Sequence, residues 1–409
     1  MISIKRVFSE EGHGQIRLCA SISIDGNDYC LWLSVDKKNS DALCRDRADG
    51  FIAGLLPLAI REHHDIVSCV PVTDLLIDSI KHDFIDVVTQ QEPSIYKVSI
   101  DAPLIKPIYK TKTVHATGLS CGVDCFYTVK NRILAAGGDG KVFVLSNSHP
   151  RGVGQTKDQT EDQFNYLIKN AKAVSDELGI ELLVVDTNYA SGEVPGLTII
   201  NYTTFCNAFC ALCLQKRFSV YYLASGGPIA DFGLKYLKNG MFRTDCSNYD
   251  LITVQALSIP GLKFIVDGLE WRMDKIRRLV DWDVFQNHFD TCFFHPPHQK
   301  ANGTYDCEKC MHSINEIMAV VGKKGMAKFG NVIDVEYVWS HMSEYLAYLI
   351  VQRLKRTEVG VDVWRHRRNS GFCCQDYVLA VFVIIRKCAT KVLRKVGLIK
   401  SRPTKWVEI

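Results

Sequence analysis

The stretch VHATGLSCGVDCFYTV, residues 114–129, decides how the middle of this chain is read. Its first half, VHATGLS, is strand-like, and the pattern from Asp124 to Ala136 is helical. Between the two stand Ser120, Cys121, Gly122, Val123, Asp124 and Cys125. A strand that ends in small residues and opens a helix can gather consecutive backbone N–H groups at one point, and the positive helix end adds to them. That suits a phosphate, with the Ser120 hydroxyl as a further donor. A carboxylate would repel a bare anion. Asp124 is therefore read as holding Mg²⁺ beside the phosphates or as capping the helix.

The surrounding sequence alternates. KVFVLSN reads as a strand ending at Asn147, residues 148–162 as a loop, and 163–178 as a helix. GIELLVVDTN is a strand ending at Asp186, FCNAFCALCLQKR a helix, and SVYYLASGG a strand running into Ser225 and Gly226. Such alternation predicts an α/β fold, a parallel sheet with helices on both faces. Ligands of these sheets sit outside the carboxyl ends of the strands. Ser120, Asn147, Asp186 and Ser225 are polar residues at those ends, and Gly226 would let backbone approach a ligand.

Upstream, residues 1–110 read as an N-terminal α+β domain. LCASISIDGNDYCLWLSV is two alternating runs about Asp25-Gly26-Asn27, a hairpin signal. RADGFIAGLLPLAIREHH spaces its apolar residues as an amphipathic helix, and YKVSIDAPLI reads as a strand. The alternating α/β domain is expected over 111–330, and 331–409 reads as a helical extension.

A chain of 409 residues is long enough for two or three packed units. Its 47% apolar and 23% charged residues are ordinary for a globular protein, with no low-complexity tract or internal repeat. The N-terminus has no apolar run of signal-peptide length, and the longest run, Tyr377 to Ile385, is far short of the roughly 20 residues a spanning helix needs. The expectation is a cytoplasmic protein whose sixteen cysteines are reduced thiols, mostly small buried hydrophobes.

The net charge of +4 is unevenly placed: from Arg386 onward eight basic residues face one acid, leaving about −3 for the rest. The body lacks the basic excess of a nucleic-acid binder. On a helix the tail would align Lys387, Lys391 and Arg394/Lys395 on one face, with apolar surface elsewhere. That fits peripheral membrane contact through 377–400, or a docking helix with its basic side in water.

CFFHPPHQKANGTYDCEKC, residues 292–310, gathers Cys292, His295, His298, Cys307 and Cys310. Cys307-x-x-Cys310 is a spacing that lets two thiolates share one zinc, and the upstream Cys and His residues could close a tetrahedron. The alternative is a capped helix start with buried thiols. WRMDKIRRLV adds Arg272 and Lys275, able to contact phosphates or to form a solvated helix face.

Ser120-Cys121-Gly122-Val123-Asp124-Cys125 resembles the Ser-Gly-Gly-x-Asp-Ser loop of the PP-loop ATP pyrophosphatases (HUP-type fold). Cys292 and Cys307-Glu308-Lys309-Cys310 resemble a zinc-type site of one branch, related to the 7-cyano-7-deazaguanine synthases and found with bacterial surface-polysaccharide genes. The resemblance implies ATP bound with Mg²⁺ through residues 120–125. It also implies adenylation of a carbonyl or carboxylate substrate, a small molecule or saccharide, with release of AMP and pyrophosphate for nitrogen or sulfur transfer. Asp124, Arg272 and Lys275 would serve the reaction, and Zn²⁺ would be structural. Two positions depart, Cys121 and Cys125. Cys121 has a Cβ, so it needs φ < 0 or a side chain turned away from phosphate. Cys125 is either a weak donor or, at a helix N-terminus, a reactive thiol of lowered pKa. These departures carry the other reading, a nucleotide-binding interaction module impaired in catalysis. Thr304 stands where the branch has a cysteine, so His295 or His298 would supply the fourth zinc ligand.

Overall fold

Asp25 and Gly26 both adopt positive φ, 48° and 85°, the pair of left-handed residues a two-residue hairpin turn requires. They join β2 (Gln15–Ile24) to β3 (Asn27–Asp36), as the sequence predicts, and β1 (Ile2–Gly12) adds antiparallel to β2. The structure is a computed structural model and describes residues 1–91, 95–109, 113–145, 157–197, 199–232, 250–290, 305 and 307–395. β4 (Ile66–Ser68) lies parallel to β1 and to β6 (Ile100–Asp101). β5 (Val72–Thr73) and β7 (Leu104–Ile105) form a separate two-stranded sheet. YKVSIDAPLI is therefore two short strands rather than one.

The predicted alternation is present from β8 onward. β8 (His115–Gly118), β9 (Gly140–Leu145), β10 (Glu181–Thr187), β11 (Val220–Ala224) and β12 (Lys263–Asp267) pair only in parallel with one another. Their order is β12-β11-β8-β9-β10, so successive strands build outward to both sides of β8.

The fold is mixed α/β, and two expectations are corrected. The sheet is not purely parallel, and the N-terminal strands do not form a sheet of their own. β3 pairs antiparallel with β10, which makes one ten-stranded sheet of order β12-β11-β8-β9-β10-β3-β2-β1-β4-β6. The reason lies in side chains at the end of β10. Thr187 Oγ1 donates to the Trp32 carbonyl at 2.6 Å, and Asn188 accepts from Trp32 N–H and donates to the Cys30 carbonyl at 2.9 and 2.8 Å. These bonds extend the ladder where a solvated edge would otherwise lie.

The chain divides into two compact units. The first holds Met1–Leu119, Tyr127–Arg151 and Leu178–Glu270, and the second Ser120–Phe126, Gly152–Glu177 and Trp271–Ile409. No boundary falls near residue 110, because the strands on either side of it share the sheet.

In the first unit the helix Asp49–Glu62 is buried continuously from Asp49 to Ile60, not only along one stripe. It packs on the helix Ile199–Cys213, with Phe51 edge-on to Phe209. Gly50 permits that approach: a Cβ there would stand 2.5 Å from Cys213 Sγ and 2.7 Å from the Phe209 carbonyl. The described elements of the second unit are helices, those of the expected helical extension included. Phe126 packs edge-on against Trp282 and Phe285, and Met273, Ala319, Leu349 and Val363 form a small core between helices. Among the described residues no helix is long and apolar enough to cross a membrane.

Candidate functional site

β8 ends at Gly118, and the helix Val123–Thr128 begins five residues later, so the predicted strand-turn-helix is present. The turn is held from both sides. Cys121 C=O accepts from Asp290 N–H at 2.8 Å, and Gly122 C=O accepts from Phe126 N–H at 3.1 Å. Cys121 has φ 58°, so the option of φ < 0 is overturned: it stands left-handed where the resembling loop has glycine. Its side chain is buried, 2% exposed. Cys125 Sγ donates to Gly122 C=O at 3.1 Å and lies 3.6 Å from Ser120 Oγ. Burial pushes both thiols up, that of Cys121 well above the usual range. The expectation of a reactive Cys125 thiolate is thereby reversed, because desolvation outweighs the hydrogen bonds that favour the anion.

Asp124 lies inside the first helical turn, so it is not the cap. Its carboxylate is held by two cations of the second unit: Arg272 Nη1 donates to Oδ2 at 2.8 Å, and Lys275 Nζ to Oδ1 at 2.9 Å. The helix Arg272–Leu279 sets these side chains three residues apart, on one face. They are a structured pair of contacts, not the solvated face that was the alternative. Arg272 also donates Nε to Glu316 Oε2 at 2.9 Å and Nη2 to Ser313 Oγ at 3.3 Å. His312 Nε2 stands 3.0 Å from Glu316 Oε1. Lys275 is fully buried.

The electrostatics follow from this packing. Burial pushes the Asp124 carboxyl up, but Arg272 and then Lys275 overcome it and hold it below the usual range. Glu316 behaves alike, with burial opposed by His312 and Arg272. Lys309, in the first turn of the helix Glu308–Gly325, is depressed to about 8 by burial and then by Arg272, while Asp124 and Asp290 pull it back. The second unit thus gathers three cations, Arg272, Lys275 and Lys309, around two buried or half-buried carboxylates beside the turn.

Asp186 and Ser225 belong to the first unit. Asp186 accepts from Thr187 N–H at 2.8 Å. Ser225 Oγ donates to Gly227 C=O at 2.7 Å and accepts from Gly227 N–H at 3.2 Å, a local turn about Gly226. Asn147, Cys292, His295, His298 and Thr304 lie outside the described residues. Cys307 and Cys310 are both buried, and Cys307 Sγ caps the helix Glu308–Gly325 by accepting from Cys310 N–H at 3.3 Å. Among the described residues no group of three or more His, Cys, Asp or Glu is placed to hold a metal.

Asp290, Glu316 and the role of Lys309 were not read from the sequence. Asp290 is buried, and its Oδ2 accepts from Tyr166 Oη at 2.7 Å and Asn170 Nδ2 at 3.3 Å. Glu316 had one local signal, its i+4 spacing from His312. Asp290 had none, since its partners lie over a hundred residues away. The chain matches no protein-family model, no curated protein and no solved structure.

Proposed function

We propose that the turn 120–125 and the cations beside it bind the phosphates of ATP, and that the protein adenylates a carbonyl or carboxylate substrate for nitrogen or sulfur transfer. The observation that carries the reading is the convergence of Arg272 and Lys275 on Asp124, on a turn two residues past β8. β8 is the strand at which the order of the parallel strands reverses, the place where ligands of open α/β sheets bind. This order and the strand-turn-helix support a HUP-type arrangement for β8–β12.

The donor set fits a polyphosphate. Ser120 is exposed, Arg272 offers a planar guanidinium, and Lys309 an ammonium. Both Asp124 oxygens already face cations at 2.8 and 2.9 Å, which does not fit a direct Mg²⁺ ligand. We assign Asp124 to positioning Arg272 and Lys275, and any Mg²⁺ to the phosphates themselves. Bound ATP would supply the adenylyl group. The chain's own part is to orient the phosphates and neutralise their charge.

A second reading, a binding module without turnover, is favoured by the left-handed, buried Cys121 at the centre of the loop. One variant tests the site itself. Gly122 is not in the left-handed region, and a Cβ there would meet Ser120 Oγ at 3.6 Å and the Asp290 carbonyl at 3.8 Å, both ordinary contacts. Gly122→Ala should therefore fold normally yet weaken ATP binding at least about tenfold in calorimetric titration, since the methyl faces the turn. Unchanged affinity would remove the phosphate loop. ATP binding without AMP or pyrophosphate in the presence of cell extract would select the module.

A further inference from the structure

The helix Cys374–Lys395 carries apolar side chains on two faces. Tyr377, Ala380, Val383 and Ile384 pack against Leu346 and Ala347 of the helix Met342–Leu354. A different set, Val378, Val381, Phe382, Ile385 and Val392, recurs at i, i+3, i+4, i+7 and i+14 and is 51–63% exposed. Single exposed apolar residues are normal, whereas a stripe along one helix marks a surface that something covers.

Charge says what covers it. Arg386 is exposed at the flank of the stripe, beside Phe382, and Lys387 and Lys391 are exposed one turn apart on the side of the helix away from it. The sequence continues with Arg394, Lys395, Lys400, Arg402 and Lys405 against Glu408 alone, and Trp406 near its end. A second copy of this helix would bring its own net charge of +4 against itself, with further basic residues after it. A polyanionic surface with an apolar interior accepts both the stripe and the lysines. The helix is too polar to cross a bilayer.

We infer that this helix lies in the plane of an anionic bilayer surface, with Val378, Val381, Phe382, Ile385 and Val392 at the acyl boundary, Arg386 at the flank reaching headgroup phosphates, and Lys387 and Lys391 adding positive charge within a Debye length of the surface. The inference is independent of the ATP reading. The full chain should float with vesicles of phosphatidylserine and phosphatidylcholine. On phosphatidylcholine alone, or in high salt, binding should fall about tenfold or more. Phe382→Asp with Ile385→Asp should lose binding at least about tenfold with an unchanged circular dichroism spectrum, because both side chains already face solvent. Lys387→Glu with Lys391→Glu should reduce it and flatten the salt dependence.

Three results would overturn the inference. One is no flotation on anionic vesicles at low salt. Another is equal binding by the Phe382/Ile385 double variant, which would leave only a charged tail at work. The third is a dimer by light scattering that this variant splits, without vesicle binding by the parent.

Discussion

Asp124→Ala tests the ion-pair cluster directly. The substitution strips a carboxylate from two cations. Arg272 keeps Glu316 at 2.9 Å and Ser313 at 3.3 Å. Lys275 is fully buried and loses the carboxylate 2.9 Å away. Removing one partner of a buried pair costs about 3–5 kcal/mol, chiefly through the charge left behind. Asp124 itself is 24% exposed, which places the expected loss near the lower end, about 3 kcal/mol. Urea unfolding followed by tryptophan emission is a suitable assay, since Trp282 contacts Phe126 two residues from Asp124. Adding Lys275→Met should restore half or more of the loss, because the buried charge that faced Asp124 is then gone. The carboxyl is held low in the fold, so its contribution is present above the unfolded carboxyl range and is lost as pH falls through the depressed value. The variant should therefore converge with the parent in strong acid. A loss under about 1 kcal/mol at neutral pH would refute the reasoning, as would no rescue by Lys275→Met.

Further outcomes follow from the same turn. Lys309 titrates at about 8 in the fold, so it is charged below that value and neutral above it. ATP affinity should fall as pH rises through about 8, and Lys309→Met should bind more weakly at pH 7 and flatten the profile. Cys121 holds φ 58° with a side chain already buried. Cys121→Val puts a β-branched residue there and should cost about 2 kcal/mol, against a change within about 1 kcal/mol for Cys121→Gly. Alkylation read by mass spectrometry should label exposed Cys30 first, whose thiol the hydrogen bond from Cys19 lowers, and Cys121 and Cys125 last. Early labelling of Cys125 would contradict its burial.

Local features were legible and long-range ones were not. The Asp25-Gly26 hairpin is written in two adjacent residues, and the strands of the second half in runs of β-branched and apolar residues. The turn at 120–125 could be read because Ser, Gly and Asp stand at a fixed spacing. The joining of β3 to β10 could not, because a period-two pattern names a buried face and not its neighbour. Cys121 showed another limit: composition warns against a Cβ at a left-handed position, yet the chain places one there. The charge cluster was half legible. Arg272 and Lys275 are near neighbours in sequence, but Glu316 and Asp290 reach the site only through folding.

The pairing of β3 with β10 also fixes what can be cut away. A chain begun at residue 111 would keep the turn at 120–125 and all five parallel strands. It would also lay bare the flank of β10 that Leu33, Ser34 and Val35 now cover. Unsatisfied backbone groups along an apolar strand recruit other strands. The N-terminal 110 residues thus guard that flank against self-association, and the remainder of the chain is not a module that evolution or an experimenter could transplant alone.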